Sequence, residues 1–152
     1  MKIFKYLLPI SVLFFLSACF SDKDEIKKKI IVPDKITYLF VTQPNCPSCD
    51  QLEKTMNLPQ PKQLLSRYFE VKKLYYGEKL PDGLTPPNGT PTVYFLGANN
   101  EVLVEPMVGE KNEATLMEFL KDTLQEFKNS YHVDLEKKYR ENNETNQTHP
   151  TS

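Results

Sequence analysis

Cysteine is scarce in this chain: Cys19, Cys46 and Cys49 are the three it has in 152 residues. That excludes a framework of disulfides, because the one close pair is three residues apart and closes too short a loop to hold a fold together. Histidine is scarcer still, with His132 and His149 alone. A structural zinc site takes four ligands, usually from paired motifs, and both histidines lie in or beside the C-terminal tail, so no metal is expected. Basic residues show no excess, since 19 lysines and arginines face 20 acids. A nucleic-acid surface needs a basic face, and that class of partner is excluded. Long apolar runs are missing except near the N-terminus, where residues 6–16 are apolar but interrupted by Pro9. That run is too short for a comfortable membrane span. No internal repeat is present.

What the N-terminus does hold is an export signal. Lys2 and Lys5 make a positive start, the apolar run follows, and Leu16-Ser17-Ala18 supplies small residues before Cys19. Leu-Ser-Ala-Cys resembles the lipobox of bacterial lipoproteins. The resemblance implies that residues 1–18 are removed, that Cys19 is lipidated, and that the protein is lipid-anchored on the periplasmic side of a bacterial membrane. Read without it, the segment is an ordinary cleaved signal and Cys19 a spare thiol. Export in either form places the chain where disulfides persist.

Residues 19–29 are polar and charged without periodicity, as a tether would be. Residues 30–131 carry the patterns of one α/β domain, and residues 132–152 lose apolar character and are expected to be a disordered tail. Ile36 to Thr42 is β-branched and aromatic throughout, which fits a buried central strand. Residues 30–32 are a candidate short strand before it. A helix is predicted to start at Cys46-Pro47, since proline suits the first turn, with Cys49, Leu52 and Met56 on one inward face. Pro59 and Pro61 end or kink it, and residues 62–67 offer a further short turn of helix. Residues 69–76 read as a second strand and residues 77–89 as a Pro- and Gly-rich loop. Thr92 to Leu96 and residues 102–106 read as a hairpin, and Asn112 caps a last helix with Leu116, Leu120, Leu124 and Phe127 on one face. Tyr75, Tyr76 and Tyr94 read as core and strand residues. The predicted fold is therefore α/β, a mixed four- to five-stranded sheet flanked by helices.

Cys46-Pro47-Ser48-Cys49 is the pattern that carries chemistry. Disulfide exchange needs a thiolate, and the free N–H groups and positive end of a helix stabilise one. Cys46, at the helix start, is placed to attack, and Cys49, a turn deeper, to resolve the mixed disulfide. Zinc lacks ligands, and covalent haem attachment would need histidine where Asp50 follows Cys49. An inert structural disulfide remains the competing reading.

The strand Ile36 to Thr42 runs into Cys46-Pro47-Ser48-Cys49, and Gly89-Thr90-Pro91-Thr92 runs into Val93-Tyr94-Phe95. With these two motifs in that order, and Val108-Gly109 ahead of the last helix, the chain resembles the thioredoxin family over roughly residues 30–128. The resemblance implies a thioredoxin-like fold and a thiol–disulfide oxidoreductase that needs no cofactor. It makes Cys46 the nucleophile, Cys49 the resolving thiol, and Pro91 a cis-proline against the redox disulfide, with Thr90 presenting backbone groups to an extended substrate. Read alone, Pro91 is an ordinary trans proline at a strand entry. Departures from the family are specific. Asn45 stands where a tryptophan often precedes the first cysteine, and Phe40 stands where thioredoxin has a buried acid, six residues before the nucleophile. The helix expected after the second strand shrinks to residues 77–89, and no histidine separates the cysteines, so an intermediate potential is expected. Thr90 before Pro91 resembles periplasmic disulfide isomerases and reductases, but the chain has no room for the isomerases' dimerisation domain. A monomer is implied, exchanging with thiols and disulfides of exported proteins and drawing electrons from a membrane partner. The alternative is a non-catalytic binding or assembly lipoprotein with the same fold.

Asn143 and Asn146 each sit in Asn-x-Thr, two residues after Glu141 and Glu144 respectively, resembling the extended acidic sequon of bacterial N-glycosylation. Chance matches in an Asn/Thr-rich tail compete evenly with that reading. Asn88-Gly89-Thr90 meets only the short form and lies at the proposed site.

Overall fold

The structure, a computed structural model, describes residues 31–147. The predicted signal segment, Cys19, the tether and His149 lie outside the described residues. Element order is β1 (Ile36–Thr42), α1 (Pro47–Met56), α2 (Pro59–Tyr68), β2 (Phe69–Tyr75), β3 (Thr92–Leu96), β4 (Met107–Val108), α3 (Glu113–Tyr131) and α4 (Leu135–Gln147), with a 3₁₀ turn at Ala98–Asn100. The strands form one mixed sheet in the order β2-β1-β3-β4, parallel between β1 and β2 and antiparallel elsewhere. The fold is thus the α/β architecture that the sequence predicts, with four strands and four helices among the described residues.

β1 is central, and its uncharged run is buried except for Thr37, which is partly exposed. Successive side chains alternate between two covered faces. Ile36, Tyr38 and Phe40 pack with Val93 and Phe95 under Leu52 of α1, Leu65 of α2, and Leu116, Leu120 and Phe127 of α3. Leu39, Val41, Tyr94 and Leu96 fill the opposite face, against Leu74, Leu80 and Leu84. That second face is closed by the loop of residues 77–89 rather than by a helix, and Tyr94 Oη pins the loop by donating to the Thr85 carbonyl at 2.7 Å. Tyr94 is buried, whereas Tyr75 and Tyr76 are half exposed.

Several boundaries differ from expectation for identifiable reasons. Pro59 forces Leu58 out of helical geometry (φ −63°, ψ 153°), which separates α1 from α2. The chain then restarts a full ten-residue helix at Pro59 instead of a short turn. On α1, Thr55 rather than Met56 completes the buried face. Residues 31 and 32 are not in a strand, and the predicted second arm of the hairpin is reduced to one bridge, Leu96 with Val102. An unbroken register would next set Val93 opposite Glu105, yet Val93 pairs with Met107. Two extra residues bulge out, and Pro106, having no N–H, cannot continue the ladder.

The predicted disordered tail needs correction over most of its length. Residues 135–147 form α4, so the folded unit extends well past residue 131. Asp134 caps the helix by accepting from Lys137 N at 2.9 Å, and Leu135 is buried. Tyr139, four residues on, meets Tyr68 edge-on at 5.7 Å between ring centroids, and Arg67 lies 5.4 Å over its ring. Two apolar side chains at helical spacing suffice once α2 offers a surface to dock on.

Candidate active site

β1 ends at Thr42, and the backbone turns through Asn45, whose φ of 55° lies in the left-handed region that asparagine tolerates. The turn delivers Cys46 to the N-cap of α1 in extended geometry, with Pro47 at the first helical position. Cys46 Sγ accepts from the backbone N–H of Cys49 at 3.2 Å. A serine or aspartate cap would make the same bond, so here the cap atom is the Cys46 sulfur. Cys46 and Cys49 are joined by a disulfide, with S–S 2.10 Å and Cα–Cα 5.2 Å. Cys46 keeps 7% of its surface exposed and Cys49 only 1%, so both are buried and Cys46 is the less deeply placed.

The second motif arrives beside the first. The Thr90–Pro91 peptide is cis, and Thr90 Oγ1 lies 3.7 Å from Cys46 Sγ. Two clamps hold this loop: Thr92 Oγ1 donates to the Gly89 carbonyl at 2.7 Å, and Gly109 N donates to the Pro91 carbonyl at 2.8 Å. Gly109 adopts φ 79°, which an L side chain rarely adopts. Residues 44 positions apart in the chain thus meet at one sulfur.

Phe40 is buried, as a hydrocarbon ring in the acid's place must be. An unpredicted pair lies nearby. Glu53 of α1 and Lys73 of β2 form an ion pair at 2.5 Å, and Lys73 Nζ stands 5.7 Å over the Phe40 ring. The signal available beforehand was the four-residue step from Cys49 to Glu53; what it lacked was the parallel register that sets Lys73 beside Phe40. Deeper in the core, Tyr38 Oη has no hydrogen-bond partner among the described residues, and burial pushes its ionisation well above the usual phenol range. Among the described residues no group of three or more metal-ligating side chains occurs, and no helix is long and apolar enough to cross a membrane.

The fold matches solved structures. The periplasmic thioredoxin SoxS from Paracoccus pantotrophus, in its reduced form, superposes with a TM-score of 0.50 at 21% identity, covering 60% of this chain and 98% of that one. The fold is thioredoxin-like. A thioredoxin from Thermus thermophilus gives a TM-score of 0.48 at 22% identity, over 57% of this chain and 72% of that one. The disulphide isomerase from Xylella fastidiosa Temecula1 gives 0.44 at 19% identity, over 58% and 77%. No protein-family model and no curated protein sequence matches the chain. The departure expected after the second strand is present: residues 77–89 form a loop with no helix and cover a sheet face with Leu80 and Leu84.

Proposed function

We propose that this protein is a thiol–disulfide oxidoreductase, exported and lipid-anchored through Cys19 on the periplasmic side of a bacterial membrane, that reduces or exchanges disulfides in exported proteins. The observation that carries the reading is Cys46 Sγ at the mouth of α1, bonded to Cys49 and 3.7 Å from the Thr90 hydroxyl. In the reduced protein, a Cys46 thiolate attacks a client disulfide, forms a mixed disulfide, and releases one client thiolate. Cys49 then gives up its proton and attacks Cys46 Sγ, restoring the Cys46–Cys49 bond and releasing the second client thiolate. Two electrons pass from the cysteine pair to the client, and a membrane electron-transfer partner must return them. No organic cofactor or metal enters these steps. The work is done by a monomer, with Thr90 and Pro91 lining the extended client segment.

Cys46→Ser is expected to abolish insulin reduction, and Cys49→Ser to accumulate mixed disulfides with clients, seen as dithiothreitol-sensitive adducts on gels. Wild-type activity in both variants would falsify the assignment. The 7% exposure of Cys46 favours a second reading, a binding or assembly lipoprotein whose disulfide is inert. That reading requires a Cys46–Cys49 bond that resists dithiothreitol while a partner is still captured. Asn143 and Asn146 remain proposed glycan acceptors on their sequence context, tested by the mass of the protein isolated from its own membranes.

A further inference from the structure

Cys49 is 1% exposed, yet it must lose a proton before it can attack Cys46. Its core cluster is largely apolar: Phe40 within it offers no base, and burial keeps the Tyr38 phenol protonated. Burial disfavours a bare thiolate, so the second half of the exchange needs a proton acceptor close by. Glu53 is one helical turn along α1 from Cys49, and residues four apart on a helix are neighbours with Cβ atoms about 5–6 Å apart. The Glu53 carboxylate is fixed by an ion pair. Lys73 holds it at 2.5 Å, and the same ammonium lies 5.7 Å over the ring of Phe40. The register that pairs Phe40 with Lys73 therefore keeps Glu53, through Lys73, near the ring of Phe40, a member of the cluster that contains Cys49. Its side chain still keeps 39% of its accessible surface, so a proton received there has a path to water. The other charged residues of α1, Asp50 and Lys54, are exposed, and helical spacing turns them off the Cys49 face.

We propose that Glu53 is the proton acceptor for Cys49, and that Lys73 is the residue that positions it. The role rests on the oxidoreductase reading above. In the resolving step the Cys49 S–H proton passes to the Glu53 carboxylate by way of water. The Cys49 thiolate forms the bond to Cys46 Sγ, the client thiolate leaves with the electron pair of the broken mixed disulfide, and protonated Glu53 returns its proton to solvent.

The two half-steps separate when the fully reduced protein reacts with 5,5′-dithiobis(2-nitrobenzoate). Attack by Cys46 releases the first coloured thiolate, and attack by Cys49 on the mixed disulfide releases the second. Glu53→Gln is expected to slow the second phase by about 100-fold, within the range of a lost general base, and to leave the first unchanged. Glu53→Asp should recover part of that loss, and Lys73→Met should slow the second phase by about tenfold through misplacement of the carboxylate. Equal rates in Glu53→Gln and wild type, or equal slowing of both phases, would overturn the proposal while leaving the oxidoreductase reading intact. Absence of a first phase from the wild type, or its survival in Cys46→Ser, sinks the oxidoreductase reading itself.

Discussion

Thr90 contributes one hydroxyl, and its position decides what that hydroxyl does. At 3.7 Å it is within reach of Cys46 Sγ, the sulfur that the Cys49 N–H reaches at 3.2 Å. Both favour negative charge on that sulfur, and a hydrogen bond of this kind contributes on the order of 1 kcal/mol, about fivefold in an equilibrium. Thr90→Val keeps the shape and deletes the donor. Alkylation of reduced Cys46 by iodoacetamide near neutral pH is expected to slow by about fivefold, with the melting temperature nearly unchanged. A wild-type rate would show the hydroxyl to be a bystander. This residue was legible in the sequence only as the neighbour of Pro91; its contact with sulfur depends on a loop 44 residues away.

Among the elements, α3 shows what pattern alone can reveal and where it stops. Leu116, Leu120 and Phe127 are buried along one face as the spacing predicts, Leu124 is only partly buried with Thr123 buried beside it, and Asn112 Oδ1 accepts from Thr115 N at 2.9 Å as the cap. The far end of the same helix does something no periodicity announces. Tyr131 Oη accepts from Ala98 N at 2.7 Å and donates to Glu101, which locks α3 onto the turn after β3. A Cβ at Gly97 would collide with that hydroxyl. Burial, together with the hydrogen bond to Glu101, pushes Tyr131 up to about 12. Since the folded value exceeds the unfolded one of 10.0, the unfolded chain loses its proton first. The associated stability is present below pH 10.0 and is lost as pH climbs through about 12. Tyr131→Phe is expected to cost about 1–2 kcal/mol at neutral pH, by leaving the Ala98 N–H without its acceptor. It should also flatten part of the alkaline loss of stability. Urea titrations at neutral and alkaline pH read both effects. Identical pH dependence in the two proteins would count against this lock.

For the folded unit as a whole, α4 is tied to the segment just before β1. Lys138 pairs with Asp34 at 2.6 Å, and Lys128 with Asp134 at 3.0 Å. The ammonium groups of Lys138 and Lys128, with the Lys137 backbone N–H on Asp134, hold both carboxyls below the usual carboxylate value of 3.8. A depressed folded value means that the contribution is present above pH 3.8 and is lost as pH falls below it. Truncation after Val133 uncovers Tyr68 and removes buried Leu135. It is expected to lower the melting temperature by several degrees, since a destabilisation of about 1 kcal/mol shifts a domain of this size by roughly 4 °C. The difference from the full chain should narrow as pH falls below the carboxylate range, and an unchanged melt would mean that α4 adds nothing to the fold.

What the residues determined alone was local and chemical. An uncharged β-branched run had to be buried, a cysteine before proline had to open a helix, and two motifs in order pointed to one fold. Tertiary structure decided everything that needed two distant backbones in register: the two-residue bulge before β4, α4 against α2, and Lys73 drawn over Phe40 to meet Glu53. Propensity and capping act within a few residues and can be read in order. Pairing and docking energies exist only after the chain has closed on itself.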